Sequence, residues 1–248
     1  MKINQFLDAT YLKTPEQARV SNEENLQKVI KLVEEAIVYN YKLVMVRANY
    51  IETVARLLKD ADSNVLIGTV VDFPEGKSSL ENKIKEAEKA ISLGADELDF
   101  VINYKSFKEG KLDLVINEVT KCIDLCLKYN KVAKFIIEVA ALSNEEIIVI
   151  SQLIKKVVLD NFGEGNAKNI FVKSSTGFFK TQNNSPNGAT LEKMMLISKN
   201  AKPLKIKAAG GVKDYEMAMK MLSLGVDRIG TSSSKEIINK QQSTNTSY

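Results

Sequence analysis

The sequence predicts a single-domain (β/α)8 barrel, and three observations support this fold class. The chain has 248 residues, close to the roughly 250 that one such barrel takes. Eight short runs rich in Val, Ile and Phe alternate with longer amphipathic segments, as strands and helices do in parallel βα units. The alternative, a doubly wound open sheet, normally carries a glycine-rich nucleotide fingerprint. That fingerprint is missing, because the GxG at 163–165 follows a helix and the Gly-Lys-Ser at 76–78 has Val71 where a P-loop needs glycine.

The predicted elements follow one another along the whole chain. The predicted strands are 3–10, 42–47, 64–72, 97–103, 134–139, 169–174, 204–209 and 228–232, and the predicted main helices are 22–39, 78–93, 112–129, 143–162, 189–200 and 213–224. The Ser-Asn-Glu-Glu sequence at 143–146 has the form of a capping box, and Gly94 and Gly225 stand where a helix end favours glycine. We therefore expect one barrel domain over 1–240, followed by a flexible polar tail, 241–248.

Composition and charge narrow the classes of function. Hydrophobic residues make up 44% and charged residues 27%, and the net charge is only +4, so the chain has the balance of a globular protein. Arg, the residue that reads bases and clamps phosphates, occurs only at positions 19, 47, 56 and 228, which disfavours nucleic acid as a partner. No segment approaches the roughly 20 apolar residues of a membrane span, and the first residues lack the apolar region of a signal peptide. A cytoplasmic protein is expected.

The absence of histidine excludes several kinds of catalysis. Without His there is no His-based triad and no HExxH zinc site. Cys122 and Cys126 lie within one helical pattern, cannot complete a closed zinc site, and are expected to be reduced, half-buried thiols. We therefore predict neither a metal nor another cofactor, and any chemistry has to use Lys, Asp, Glu, Tyr, Ser, Thr or Cys.

Two lysines stand out at the ends of apolar strands, where a barrel of this kind carries its site. Lys173 in NIFVKSSTG and Lys207 in LKIKAAGG occupy the same relative place in successive strands, whereas Lys205 shares the face of Lys207 but lies nearer the strand start. Burial and a neighbouring like charge both lower the pKa of a lysine, and a neutral lysine amine attacks carbonyl groups. Two interpretations stay open at this point: a nucleophilic lysine with a perturbing partner, or two rim lysines in separate ion pairs.

Asp99 is the carboxylate that fits both interpretations. It lies in ADELDFVIN between Leu98 and Phe100, and it shares a strand face with Glu97. An inward-pointing Asp99 either pairs with one of the lysines or shuttles protons beside an imine, and the two roles are compatible.

Three small-residue turns follow the last three predicted strands. They contain Thr176 and Gly177, then Gly210 and Gly211, then Ser232 and Ser233, and the last opens a short helical stretch, SKEII. Backbone N–H groups in such turns bind phosphate, and barrels often bind it with the loops after their last strands. The three turns together predict a phosphate site.

The motifs resemble those of the deoxyribose-phosphate aldolases, a family of class I aldolases with a (β/α)8 barrel. The resemblance runs from about Phe6 to Ile238 and rests on FLDATYLK, GADELDFVIN, KFIIEVAAL, FVKSSTGF, IKAAGGV and DRIGTSSSKEI. FVKSSTGF followed by IKAAGG at this spacing is its most specific part.

The resemblance implies an activity and a set of site residues. The activity is the reversible cleavage of 2-deoxy-D-ribose 5-phosphate to D-glyceraldehyde 3-phosphate and acetaldehyde through a lysine Schiff base, in a homo-oligomer that is a dimer or tetramer. Lys173 matches the Schiff-base lysine, Lys207 the lysine that perturbs it, and Asp99 the acid–base aspartate. The other matched positions are Asp8, Thr10 and Lys134 in the pocket, Thr176, Gly177, Gly210, Gly211, Ser232 and Ser233 at the phosphate turns, and Tyr248 as a C-terminal tyrosine that assists the proton step.

The chain departs from the family pattern at three places. Ala9 replaces the family's common His after Asp8, and the segment Met-Val-Arg-Ala at 45–48 replaces Cys-Val-Asn-Pro, so that Arg47 adds a cation near the site. The loop 177–188 is longer than usual, and we expect Phe178 and Phe179 to form a lid and Lys180 to reach the phosphate. Two other functions stay open: a lysine-dependent aldolase for a different phosphosugar, and a sugar-phosphate-binding barrel without activity.

Overall fold

The architecture is a closed barrel of parallel strands surrounded by helices. A computed structural model describes residues 2–182 and 185–240, and within them eight parallel strands close in sequence order, with the last strand paired to the first. The strands are β1 Leu7–Thr10, β2 Leu43–Val46, β3 Leu66–Val71, β4 Glu97–Val101, β5 Val132–Ile136, β6 Ile170–Lys173, β7 Lys205–Ala209 and β8 Arg228–Thr231. The predicted fold class is confirmed.

The helices form the outer layer. They are α1 Pro15–Ala18, α2 Asn22–Tyr39, α3 Ile51–Asp60, α4 Leu80–Ser92, α5 Tyr104–Lys108, α6 Leu112–Lys128, α7 Asn144–Phe162, α8 Leu191–Ala201, α9 Tyr215–Ser223 and α10 Ser234–Ile238, with 3-10 turns at Ile3–Phe6, Ala48–Tyr50 and Glu164–Asn169. The six predicted main helices are confirmed with ends shifted by no more than two residues, and Ser143 and Glu146 form the predicted capping box.

Some predicted boundaries were wrong, each for a local reason. The first strand starts at Leu7 and not at residue 3, because Ile3–Phe6 form a 3-10 turn. The fifth begins earlier than predicted, at Val132, since its first residues pair with β4. The helix Ile51–Asp60 was not predicted, although Ile51, Val54 and Leu58 bury one face of it. The tail, including Tyr248, lies outside the described residues.

The main hydrophobic core lies between the strands and the surrounding helices. The outward-facing strand residues and the inner faces of the helices form one large buried cluster. Cys122 and Cys126 belong to it; both are free and fully buried rather than half-buried as predicted. Burial raises the pKa of the Cys126 thiol to about 12, so that this thiol is a poor nucleophile. Within the described residues no helix is long and apolar enough to cross a membrane.

The interior of the barrel has an apolar part and a charged part. Leu43 and Met45 of β2 and Val70 of β3 form a small buried cluster of their own. Gly68 makes room for it, because a Cβ at this position would lie 2.6 Å from the Met45 Cε and 2.8 Å from a Leu43 methyl group. The remaining strands bring charged side chains into the interior.

One close backbone contact places the loop after β6 on the turn after β7. The Ala189 N–H donates to the carbonyl oxygens of Ala209 and Gly210, at 3.1 and 2.8 Å. A Cβ on Gly188 would lie 2.6 Å from the Gly210 Cα, and backbone cannot move aside as a flexible side chain can.

We predict that Gly188→Ala lowers the free energy of unfolding by about 1–3 kcal/mol, the usual cost of overpacking. Gly165→Ala is the matched control, since a Cβ there meets nothing within 4 Å, and its effect should stay within about 0.5 kcal/mol. Urea unfolding followed by circular dichroism measures both. Equal stability of the two variants would show that the loop moves away from the turn at no cost.

Candidate active site

Seven charged side chains converge inside the barrel. They come from six strands, and each side chain is less than a tenth exposed. The seven are Asp8, Glu97, Asp99, Lys134, Lys173, Lys207 and Arg228. The sheet register contributes directly, because β4 pairs Asp99 with Lys134, and β6 pairs Lys173 with Lys207.

Six of these groups form a closed ring in which the sign of the charge alternates. Arg228 binds Asp8, with its Nε 2.7 Å from the Asp8 Oδ1, and lies 3.2 Å from Glu97. Lys134 continues the ring, because its Nζ lies 2.7 Å from Glu97 and 2.6 Å from Asp99. Lys207 closes it, with its Nζ 2.9 Å from Asp99 and 2.6 Å from Asp8. Three carboxylates thus balance three cations.

Lys173 is the seventh group and is attached to the ring at one point. Its Nζ donates to the Asp99 Oδ2 at 2.8 Å, and Lys207 donates to the same oxygen. The three negative and three positive charges of the ring already cancel. A proton on Lys173 therefore adds an uncompensated positive charge to the buried cluster. Burial lowers the pKa of Lys173 to about 8; the Asp99 carboxylate opposes this shift, and the Lys207 ammonium reinforces it.

The pKa shifts of Asp99, Asp8 and Lys134 favour the charged forms of these three groups. Burial alone would raise the pKa of Asp99, but the ammonium groups of Lys134, Lys173 and Lys207 hold it well below its usual range. The same competition lowers the pKa of Asp8, where burial is outweighed by Arg228 and Lys207. Burial opposes the charge of Lys134 also, yet Asp99 and Glu97 raise the pKa of its ammonium.

The sequence interpretation missed Glu97 and Arg228 as members of the site. Arg228 spans Asp8 and Glu97, which are far apart in sequence and lie on strands that are not neighbours. Glu97 was noted for sharing a face with Asp99, and that face does point inward. The sequence did contain one indication of the role of Arg228, because it is an arginine at the start of an otherwise apolar strand.

The two open interpretations of the lysines are resolved in favour of a shared cluster. Lys173 and Lys207 bind one carboxylate oxygen and are not in separate ion pairs. Lys205, as expected from its earlier place on the strand, takes no part in the cluster; its side chain is 42% exposed and pairs with Asp227. Thr10 is buried and donates to the carbonyl oxygen of Asp8.

The N–H groups of the turn after β6 are bonded to other groups of the protein. Thr176 N–H donates to Glu138, Gly177 N–H to the hydroxyl of Ser175, and Phe178 N–H to the hydroxyl of Thr176. In contrast to the expectation for Thr176 and Gly177, these amides already have partners. Each N–H would have to exchange its partner in order to bind phosphate.

The turns after β7 and β8 present small residues in other surroundings. Gly210 and Gly211 have positive φ, and a Cβ on Gly211 would meet nothing within 4 Å. Ser233 is buried, and its N–H donates to the hydroxyl of Thr231. Ser232 lies beside a cavity of about 440 Å³ whose lining also includes Thr10, Lys13, Lys28 and Lys31.

Arg47 connects the loops at the rim and does not extend the charged ring. Its guanidinium donates to the carbonyl oxygens of Leu12 and Phe73 and stacks on the Phe73 ring, 4.9 Å from the centroid. The Phe178 ring meets the Phe73 ring edge-on at 5.0 Å. Phe179 packs in the same way against Tyr104. Arg47, the additional cation that the sequence placed near the site, therefore uses its guanidinium to hold the rim loops together.

Lys180 lines a separate rim cavity with Lys105 and Lys108. Among the described residues, no three His, Cys, Asp or Glu side chains are grouped so that they could hold a metal ion. The predicted Tyr248 lies beyond the residues that the structure describes.

Comparisons with known proteins agree with this arrangement. A family model described as DeoC/LacD family aldolase matches residues 5–237. The deoxyribose-phosphate aldolase of Caldicellulosiruptor saccharolyticus is 38% identical over 241 residues, which are 96% of this chain and 98% of that protein. The solved structure of the aldolase QR15 has a TM-score of 0.76 at 31% identity, covering 96% of this chain and 94% of its own. A tetrameric deoxyribose phosphate aldolase from Aeropyrum pernix also has a TM-score of 0.76, at 26% identity, covering 96% and 89%.

We predict that Lys207→Leu raises the pKa of Lys173 above its value of about 8. Without Lys207 the ring carries a net negative charge, which favours the protonated form of Lys173. The rate at which an amine-directed acylating reagent modifies Lys173, followed against pH by peptide mass mapping, measures this pKa. The half-maximal rate should move to higher pH.

Lys205→Leu is the matched control, because it removes a lysine from the same strand but outside the cluster. Its pH profile should coincide with that of the unsubstituted protein. A profile unchanged by Lys207→Leu would contradict the charge balance described above.

Proposed function

Because this chain belongs to the DeoC/LacD family of aldolases, we propose that it cleaves 2-deoxy-D-ribose 5-phosphate to D-glyceraldehyde 3-phosphate and acetaldehyde, with Lys173 as the nucleophile. The observation that carries the residue assignment is the contact of Lys173 and Lys207 with one buried Asp99 oxygen. The reaction is a reversible class I aldol cleavage, and it uses amine chemistry on an aldehyde.

The first step needs a neutral lysine. With a pKa of about 8, about a quarter of Lys173 is neutral at pH 7.5, against roughly 0.1% of an ordinary lysine. The Lys173 amine attacks the C1 aldehyde carbon and forms a carbinolamine. Loss of water, with protons supplied from the cluster, converts it to a protonated imine.

The protonated imine accepts the electrons of the bond that breaks. The C3 hydroxyl loses its proton, C3 becomes a carbonyl carbon, and the electron pair of the C2–C3 bond moves toward the imine to give an enamine. D-Glyceraldehyde 3-phosphate is released. Protonation of C2 and hydrolysis of the imine then release acetaldehyde and restore the Lys173 amine.

Asp99 suits a transient proton carrier between these positions. We assign to it the transfer of the C3 hydroxyl proton, through a water molecule, to C2 of the enamine. Its depressed pKa makes the Asp99 carboxylate a weak base and its protonated form a strong acid, so that it holds the proton only briefly and gives it up readily to carbon. Lys207 holds the carboxylate in place at 2.9 Å and takes part in the proton exchange.

The phosphate group belongs at the turns after β7 and β8 in this proposal. Gly211 offers exposed backbone beside the buried Gly210, and Ser232 and Ser233 begin the segment that leads into α10. The cavity beside Ser232 is lined by three lysines and one carboxylate, Glu35, and this excess of positive charge favours an anion. In the proposal, Thr176 and Gly177 contribute to the shape of the phosphate pocket. We also propose that Tyr248 assists the proton step.

The apolar part of the barrel interior supports a deoxygenated substrate. Met45 and Val70, together with Leu12, form a buried surface against which Phe73 and Phe178 pack. A hydroxyl group placed against such a surface would lose its hydrogen bonds with water without replacement. We place the deoxygenated C2 of the substrate against this surface, where it avoids this cost.

We further propose that the enzyme is a cytoplasmic homo-oligomer, a dimer or a tetramer. The tetrameric state described for the Aeropyrum pernix protein supports the oligomer. The two free, buried cysteines fit a reducing compartment.

The catalytic proposal is tested by trapping the imine. Borohydride reduction in the presence of 2-deoxy-D-ribose 5-phosphate should leave a stable adduct on Lys173, located by intact mass and peptide mapping. Lys173→Ala should form no adduct and lose activity by about 10⁴-fold or more, as removal of a covalent nucleophile does. Lys205→Ala serves as the control with unchanged trapping, and an adduct on a different lysine would refute the assignment.

The oligomer is tested by light scattering coupled to size exclusion. At micromolar concentration we expect a mass of two or four chains of 27.6 kDa, because the related tetramer shows that this fold can assemble. A mass of one chain across the concentration range would exclude it.

A further inference from the structure

Glu138 is a buried carboxylate close to the nucleophile that the proposed chemistry does not use. It follows β5 and is 1% exposed. Its φ of 53° lies in the left-handed region, which is uncommon for a residue with a side chain. A backbone held in that conformation indicates that the surrounding structure constrains it.

The backbone on both sides of Glu138 is bonded to the end of the nucleophile's strand. The Ile137 N–H donates to the carbonyl oxygen of Lys173 at 3.0 Å, and the Val139 N–H donates to that of Ser174 at 2.9 Å. Glu138 therefore sits between two bonds that hold Lys173 and the residue after it.

The carboxylate collects the donors of the turn that follows. The Glu138 Oε1 accepts from the Ser175 hydroxyl at 2.8 Å, and its Oε2 accepts from the Thr176 N–H at 3.2 Å and from the Thr176 hydroxyl. The two hydroxyls in turn accept the N–H groups of Gly177 and Phe178, both at 3.0 Å. One side chain thus organises every residue from Ser175 to Phe178.

This chain of hydrogen bonds connects the strand that carries the nucleophile to an aromatic side chain at the rim. One end is the strand that carries Lys173, and the other is Phe178, whose ring packs on Phe73. The Ser175 hydroxyl also lies 2.6 Å from the carbonyl oxygen of Asn187, so that the far end of the loop is tied to the same point.

We propose that Glu138 is a positioning residue for this aldolase: through Ser175 and Thr176 it fixes the end of β6, and with it the placement of Lys173 relative to Asp99 and to the aromatic side chains at the rim. The inference rests on the proposed function, since it concerns the geometry of the imine-forming lysine. It assigns Glu138 no contact with the substrate and no proton transfer.

The contacts themselves distinguish positioning from acid–base chemistry. Glutamine in place of Glu138 can keep the arrangement, because its carbonyl oxygen can accept from Thr176 while its NH₂ group donates to the Ser175 hydroxyl. That hydroxyl then turns its proton to the Asn187 carbonyl oxygen, which is already at 2.6 Å. Alanine can replace none of these bonds.

The experiment compares Glu138→Gln and Glu138→Ala with Glu88→Gln and Glu88→Ala, the same changes at an exposed site on α4. Steady-state kcat and KM are measured with 2-deoxy-D-ribose 5-phosphate and with unphosphorylated 2-deoxyribose, and borohydride trapping on Lys173 is measured in each variant. We expect kcat to fall about 100-fold in Glu138→Ala, as a displacement of about 1 Å would cause. Glu138→Gln should stay within about tenfold, and the Glu88 pair should be unchanged.

The two substrates separate the nucleophile from the phosphate site. Misplacement of Lys173 slows imine formation with either substrate, so the loss in Glu138→Ala should be equal for both. A loss confined to the phosphorylated substrate would overturn the proposal, because Glu138 would then act on the phosphate turns. Equal losses in the Gln and Ala variants would also overturn it, since they would mean that the carboxyl group transfers a proton.

Two further measurements guard against a folding defect and against failure of the function itself. Thr176→Val removes the partner hydroxyl; alone it should lower kcat about tenfold, by a smaller displacement of the same kind, and in the double variant with Glu138→Ala it should add nothing. Should Glu138→Ala fail to fold, the kcat of Thr176→Val tests the proposal in its place, and an unchanged kcat in that variant would refute it.

Absence of an adduct in the unsubstituted protein would refute the proposed function, whereas a normal adduct with normal kcat in Glu138→Ala would refute only the role of Glu138.

Discussion

The balance of charge inside the barrel is the constraint on which the site depends. Three carboxylates and three cations can be buried together because each has an oppositely charged neighbour on both sides. Removing one partner from such a buried set typically costs 3–5 kcal/mol, because it leaves a charge uncompensated. The ring therefore stays ionised, and any group added to it must be neutral or must bear the cost. Lys173 is that added group, and the ring makes it an amine that readily loses its proton.

The ring of charges occupies only part of the barrel interior, because apolar and charged side chains come from different strands. The strands β2 and β3 contribute apolar side chains and a glycine to the interior, so that the charges fill the remaining part of the barrel. Arg228 crosses from β8 to Glu97 on β4 as well as binding Asp8 on the adjacent β1. Lys173 is 3% exposed, and burial of this kind strengthens each electrostatic interaction around it.

Local pattern was sufficient to predict the fold and to single out three of the charged side chains in the barrel, whereas their roles came from the family resemblance. Runs of Val, Ile and Phe marked the strands, and Lys173, Lys207 and Asp99 stood out because charged residues are rare at inward positions of such strands. The helix Ile51–Asp60 was missed although its spacing was readable. Arg228 and Glu97 could not be paired from sequence, because their contact depends on the tilt of the strands and on the length of an arginine that spans the interior. The same holds for Arg47, whose partners are carbonyl groups of two loops.

The turn after β6 shows why a motif of small residues does not by itself locate a phosphate site. Ser, Thr and Gly suit a turn that binds an anion with its N–H groups, and they equally suit a turn in which hydroxyl groups accept those N–H groups internally. Which of the two occurs depends on an acceptor elsewhere, and here the buried Glu138 draws the hydroxyl protons of Ser175 and Thr176 to itself. The lone pairs of those hydroxyls are then left for Gly177 and Phe178. A second negative group at this turn would have to compete with Glu138 for the same donors, whereas beside Ser232, in the turn after β8, it would meet a cavity lined by three lysines and one carboxylate.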